Sequence, residues 1–247
     1  MIPWVELGAA TAPDGGALRL LRRGAEFSIR LGTAELMNSR ISGSEEALAT
    51  LACDRIAGRA RPRMLIGGLG MGFTLRAALD CFPRSATLVV AELFAEVVEW
   101  NRGPLSHLAG RPLDDPRVQL HRADVNDLLA GEPFDCILLD VDNGPGAFTV
   151  KSNARLYGSS GINRMLRALK PGGVLALWSS AVEPAFERQL NKAGLEVQCH
   201  RVHARGAGGG ARHAIYLVRR RPRSAGAPVR TAADAPVRKR KKSRRRR

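Results

Sequence analysis

Residues 62–81 read PRMLIGGLGMGFTLRAALDC, and the reading of this stretch decides the fold. Met64–Gly67 is a short apolar strand that runs into Gly67-Gly68-Leu69-Gly70-Met71-Gly72, and Phe73–Cys81 reads as the helix behind it. Glycines at such a turn let the backbone bend sharply and approach a ligand without Cβ interference. The first amides of the following helix then face a polar or anionic group. A glycine turn alone is a weak signal; a strand before it and a helix after it make it a candidate binding loop.

Outward from this unit the same rhythm repeats. Thr87–Ala91, Val118–His121, Phe134–Asp140 and Val174–Ser179 are apolar runs of strand length. Helical segments at 94–102, 125–130, 160–169 and 184–193 alternate with them, and Lys170-Pro171-Gly172-Gly173 reads as a helix stop. Leu195–Val202 and His213–Val218 read as a closing pair of strands. Strands alternating with helices over about 150 residues predict a mostly parallel, doubly wound α/β sheet of Rossmann-like type. Upstream, Ala17–Leu21 and Glu26–Leu31 alternate between Gly-containing turns and predict a small antiparallel β-hairpin unit over residues 1–42. A helix should follow, capped by Ser44 with Glu45 and Glu46 in its first turn, and run to about Ala57. The expected organisation is therefore a β unit at 1–42, an α/β domain at 43–221 and a basic tail at 222–247.

The net charge of +16 over 247 residues belongs to the tail. From Arg219 to Arg247 there are 14 Lys and Arg against one acid, Asp234, which leaves the other 218 residues a balance of only +3. A body that close to neutral is not the long basic groove of a nucleic-acid enzyme. Residues 222–247, rich in Pro, Ala and Arg, are expected to be disordered, with weak polyanion or nucleic-acid binding as the sharper reading of their charge. No run approaches the roughly 20 apolar residues of a membrane span, and the first residues do not read as a secretion signal. Cys53, Cys81, Cys136 and Cys199 are scattered, which suits free thiols in the cytoplasm. The five histidines show no metal-ligand spacing, so no metal site is expected.

Ligands of such sheets bind at the carboxyl ends of the strands. Glu92 ends the second strand, 20 residues beyond Gly72, where an acid accepts hydrogen bonds from ribose hydroxyls. The Gly-x-Gly-x-Gly spacing departs from the dinucleotide fingerprint, and no basic residue follows for a pyrophosphate. An adenosyl ligand without phosphates fits better. Asp124 after the third strand suits the exocyclic amine of adenine, or the N-cap of the next helix, or both. Asp140 at the mouth of the fourth strand is placed to hold and deprotonate an amine nucleophile, with Asp142 and Asn143 beside it in a Gly/Pro loop. The competing reading of this loop is a turn-forming Asx cluster. Trp178, Phe148 and Tyr157 read as packing or pocket-wall residues.

Taken in order, Gly67–Gly72, Ala91-Glu92-Leu93, Asp115-Pro116-Arg117-Val118 with Asp124, Phe134-Asp135 with Leu139-Asp140, and Leu156-Tyr157 with Leu169–Val174 resemble the spermidine synthase family. That family is a branch of the class I methyltransferase fold with a small N-terminal β-domain, and the likeness covers about residues 40–200. The resemblance implies donor contacts at Gly68, Gly70, Gly72, Glu92, Leu93, Asp124 and Val125, and a catalytic Asp140. It implies acceptor contacts near Asp142, Asn143, Glu46 and Tyr157, a small-molecule amine acceptor, and a homodimer. The donor would be S-adenosylmethionine or its decarboxylated form.

Three departures stand out. Gly70 replaces an acid of the family's glycine motif, Val141-Asp142-Asn143-Gly144 replaces Ser-Ser-Asp-Pro, and Ser44-Glu45-Glu46 replaces Tyr-His-Glu, so two aromatic polyamine contacts are missing. The expected function is aminopropyl transfer to an amine. Methyl transfer to a small molecule or to nucleic acid, and a non-catalytic nucleoside-binding protein, are the alternatives.

Overall fold

The computed structural model describes residues 2–11, 15–141, 144–145 and 154–221. Asp142, Asn143, Phe148 and the basic tail expected at 222–247 lie outside the described residues.

The chain opens with β1 (Val5–Thr11), β2 (Ala17–Arg23), β3 (Glu26–Leu31) and β4 (Ala34–Asn38), followed by α1 (Gly43–Arg55). Next come β5 (Arg63–Gly67), α2 (Phe73–Cys81), β6 (Thr87–Glu92), α3 (Ala95–Arg102), β7 (Val118–Arg122), α4 (Val125–Leu128) and β8 (Phe134–Leu139). The described chain ends with α5 (Ala154–Tyr157), α6 (Ser159–Arg167), β9 (Leu169–Ser179), α7 (Pro184–Lys192), β10 (Leu195–His203) and β11 (Arg212–Arg220). One seven-stranded sheet has the order β10-β11-β9-β8-β5-β6-β7. The run from β9 to β7 is parallel, while β11 pairs antiparallel with both β9 and β10. This is the expected Rossmann-like methyltransferase arrangement.

The apolar runs are continuous because both faces of the sheet are covered, as parallel sheets require. Side chains of a strand alternate between faces. Met64 and Ile66 of β5 therefore join the core beneath α1, α2 and α3, while Leu65 joins the core beneath α6 and α7. Leu88 and Val90 against Val89 and Ala91 in β6 repeat the split, as do Val174 and Ala176 against Leu175 and Leu177 in β9. Each fully buried side chain of this size stabilises the fold by about 1.5–3 kcal/mol.

The chain reverses its direction of winding between β5 and β8, and a sheet opens a crevice at such a point. There Asp140 N–H donates to the Gly67 carbonyl at 2.9 Å, and Gly68 N–H donates to the Ala91 carbonyl at 2.9 Å. A Cβ on Gly68 would lie 2.4 Å from the Asp140 carbonyl oxygen, and its φ is +91°. Glycine is needed at 68 on both counts.

Strands β1 to β4 form a four-stranded antiparallel sheet in sequential order, twice the hairpin legible in the sequence. It is tied to the α/β body by apolar contact: Leu18, Leu20, Phe27 and Ile29 share the core of Ile66 and Leu75. Met37 lies over the glycine turn, its Sδ 3.1 Å from where a Gly70 Cβ would stand.

Several boundaries move. Helix α1 starts at Gly43 with Ser42 as its N-cap and ends at Arg55 rather than Ala57. Ser44 is thus inside the first turn, fully buried, and does not cap the helix. Lys170–Gly173 belong to β9, where the register shifts between the Phe134 and Cys136 pairings. Asp140 follows β8 instead of ending it.

Candidate active site

Two chambers open at the carboxyl ends of β5, β6 and β8, and they share Leu36, Met37, Gly70 and Asp140. The first holds Gly68, Ala91, Glu92, Leu93, Asp124 and Val125, roofed by Leu18, Ile29 and Leu31 from the antiparallel sheet. Glu92, 6% exposed, is fixed by the backbone. Its Oε2 accepts from Leu69 N–H and its Oε1 from Phe94 N–H, each at 2.9 Å. Burial raises the Glu92 carboxyl above its ordinary range, against the pull of those amides. The Leu93 and Gly70 amides add to the same pull, so the carboxylate is held in place by the surrounding backbone.

Asp124 takes the N-cap role, one of the two read for it, and pairs with Arg155 besides. Its Oδ1 caps α4 by accepting from Asn126 N–H at 2.9 Å, and its Oδ2 pairs with Arg155 at 2.7 Å. Burial pushes this carboxyl up, but the Asn126 donors and Arg155 outweigh it and hold it low. Asn101, which sequence reasoning missed, anchors the glycine turn. Its buried Nδ2 donates to the Gly70 carbonyl at 2.8 Å and to the Val97 carbonyl at 2.9 Å. Nothing local in the sequence marks it, because the contact spans 31 residues.

The second chamber is lined by Glu35, Asn38, Glu45, Thr74, Trp178, Ser180 and His213 around Asp140. Thr74, at the start of α2, donates its hydroxyl to Asp140 Oδ2 at 2.6 Å. Burial raises the Asp140 carboxyl to about 6 despite that bond. Glu45 is raised to about 7, first by burial and then by the negative charge of Asp140. Ser44 donates to Glu45 Oε2 at 2.6 Å, and His213 Nδ1 lies 2.9 Å from Ser44 Oγ. Glu35 is engaged by Ser28 and Asn38 and lies 3.5 Å from Arg30. Among the described residues, neither chamber is lined by a lysine or an arginine.

The structure thus gathers Gly68, Gly70, Glu92, Leu93, Asp124, Val125 and Asp140 around one crevice. Gly72 stands just behind it, in the left-handed conformation as the N-cap of α2. Glu46 does not join: it is exposed, and Glu45 takes the inward place. Tyr157 is buried in the core, and its hydroxyl donates to the Val141 carbonyl at 2.8 Å, which steadies the chain just after Asp140.

No protein-family model matches this chain. A polyamine aminopropyltransferase of Nitrosomonas europaea is 33% identical over 124 residues, 49% of this chain and 35% of that protein. The match therefore answers to about a third of that relative's length. Among solved structures, spermidine synthase from Thermotoga maritima superposes with a TM-score of 0.66 at 18% identity, over 87% of this chain and 72% of that one. A spermidine synthase in complex with the transition-state analogue AdoDATO gives 0.65 at 18% identity, over 87% and 71%. A probable spermidine synthase from Corynebacterium glutamicum gives 0.57 at 15% identity, over 86% and 79%. Fold and sequence together set this chain beside the spermidine synthase family.

Proposed function

We propose that the protein is an aminopropyltransferase that joins an S-adenosyl donor in the first chamber to a cationic amine in the second. The observation that carries this reading is the charge of the second chamber. Asp140, Glu45 and Glu35 line it, and among the described residues no Lys or Arg does. Two half-buried carboxylates, both raised by burial and Glu45 further by the charge of Asp140, are stabilised by a cation placed between them. The same surface opposes the carboxylate of S-adenosylmethionine, so it favours the decarboxylated donor over a methyl donor. The names of the related proteins support the same substrate classes.

In this reading, Glu92 holds the ribose hydroxyls and the Gly68–Gly72 turn lets the backbone lie against the donor. Leu93 and Val125 flank the adenosyl group, and Asp124 stands at its adenine end. Asp140 accepts a proton from the bound ammonium and orients the freed amine. The amine nitrogen then forms a bond to the carbon beside sulfur. The C–S bond breaks, sulfur keeps the electron pair, and neutral methylthioadenosine leaves. One proton is released for each amine aminopropylated. Holding both reactants in line supplies much of the rate. Asp142 and Asn143, next in sequence to Val141, are proposed to complete the acceptor side. Four free cysteines suit a reducing cytoplasm. No helix among the described residues is long and apolar enough to cross a membrane.

The test is product analysis by mass spectrometry. The protein is incubated with decarboxylated S-adenosylmethionine and a panel of di- and polyamines, with S-adenosylmethionine in parallel. Methylthioadenosine together with an amine heavier by one aminopropyl group is expected. S-adenosylhomocysteine from the parent donor, with no aminopropyl product, would establish methyl transfer instead.

A further inference from the structure

Transfer to an ammonium acceptor leaves a proton inside a chamber rich in carboxylates, and that proton must reach water before the next turnover. Asp140 takes it first, and it passes across the open chamber, through solvent or the amine itself, to Glu45, which lines the same chamber and feels the charge of Asp140. From Glu45 a continuous hydrogen-bonded path runs to His213: Glu45 Oε2 to Ser44 Oγ at 2.6 Å, then Ser44 Oγ to His213 Nδ1 at 2.9 Å. The three residues come from distant parts of the chain, since 169 positions separate Ser44 from His213. Ser44 is fully buried and has no exit of its own, whereas His213 is only partly buried and lines the chamber. The His213 ring is held edge-on to Trp178, centroids 4.8 Å apart, so its orientation is fixed.

We infer that His213, acting through Ser44, is the exit for the proton that the Asp140–Glu45 pair takes from the acceptor amine. The inference rests on the transferase reading above. The step balances. The protonated Glu45 carboxyl gives its proton to Ser44 Oγ as the Ser44 hydroxyl proton passes to His213 Nδ1. The resulting imidazolium then loses its Nε2 proton to water, and exchange with water between turnovers returns the ring to the Nε2–H tautomer, whose Nδ1 accepts again. Glu45 is left ionised and Ser44 donates to it again, as in the structure. His213 touches no reacting atom and is a positioning residue. The charged groups around the path are Asp140 across the chamber, Glu46 next to Glu45, and Glu35 with its partner Arg30 on the antiparallel sheet. Burial lowers the pKa of His213, so its imidazolium sheds a proton readily near neutral pH.

The test uses the full chain with His213→Asn, which keeps a side-chain N–H for Ser44 but does not titrate, and Ser44→Ala, which cuts the path between unchanged ends. Both should lower kcat roughly ten- to a hundredfold, the lower range for a positioned proton-transfer group. KM should be little changed for either substrate, and the acidic limb of the pH profile should move. Free imidazole in the buffer should restore part of the His213→Asn rate. Separately, the His213 pKa is followed by NMR in the wild type and in Glu45→Gln. Loss of the facing carboxylate should lower it by about half a unit or more. Wild-type kcat and pH profile in both variants, or identical His213 titration with and without Glu45, would overturn the relay. Absence of aminopropyl transfer by the wild type would instead overturn the transferase reading, and the titration arm separates the two failures.

Discussion

The two chambers share one wall and differ in how their acids are held. In the first, Glu92 is gripped by two backbone amides and Asp124 by a backbone amide at a helix cap and by Arg155, so each is held by more than one donor. In the second, Asp140 and Glu45 are held by single hydroxyls, from Thr74 and Ser44, and repel one another. The first is preorganised for a ligand with hydroxyl donors. The second keeps two acids close together, a conflict that the proposed cationic amine would relieve. A site that binds a nucleoside and reacts it with an amine needs both conditions side by side.

The largest effect that would sharpen this contrast is expected from Asp140→Asn. It should cut kcat for aminopropyl transfer by roughly 10²–10⁴, while donor affinity measured by calorimetry changes only a few-fold. A loss of donor binding as large as the loss of rate would break the division between chambers. Next is Glu92→Ala, which removes a charged acceptor from the first chamber. Donor affinity should fall by about 2 kcal/mol, roughly thirtyfold, with unfolding temperature as the control for stability.

Glu45→Gln probes the unease of the second chamber directly. A carboxyl whose pKa is raised by folding favours the folded state while it is protonated. That contribution is complete below the ordinary 4.5 and is lost as pH rises through about 7. The variant should therefore be more stable than the wild type at pH 8, by on the order of 1–3 kcal/mol, and should converge with it below about pH 5. Denaturant melts at the two pH values measure this. Equal stability at both would mean that Glu45 and Asp140 are not in conflict.

The difference between chambers also governs what the sequence could disclose. The sheet was legible because its parallel strands, buried on both faces, are bare apolar runs punctuated by Gly and Pro. The first chamber was legible for a related reason: Gly68, Glu92 and Asp124 sit at or within two residues of strand ends, so each place in the chain fixes a place in space. The antiparallel sheet was read only in part. Its outer strands lack a clean alternation: β1 is largely exposed and β4 grades from exposed to buried, with Gly8 against Trp100 where a side chain would otherwise stand. In the second chamber, Glu45 and Glu46 are adjacent, and only the true start of α1 at Gly43 decides which faces inward. Thr74 and His213 reach Asp140 and Ser44 across 66 and 169 residues, distances that no local pattern spans.

The smallest effect is expected from removing residues 222–247. Unfolding temperature and donor affinity should stay within error, since the Pro, Ala and Arg composition of that segment gives it little apolar surface to bury. A fall in kcat on a small amine after this truncation would count against a self-contained pair of chambers.

The central claim is that the chamber beyond the donor is built for positive charge, and calorimetric titration of the donors tests it most directly. Decarboxylated S-adenosylmethionine should bind at least roughly tenfold tighter than S-adenosylmethionine, a difference of about 1.4 kcal/mol. The preference should shrink in Glu45→Gln. Equal or tighter binding of the donor that carries the carboxylate would contradict the account.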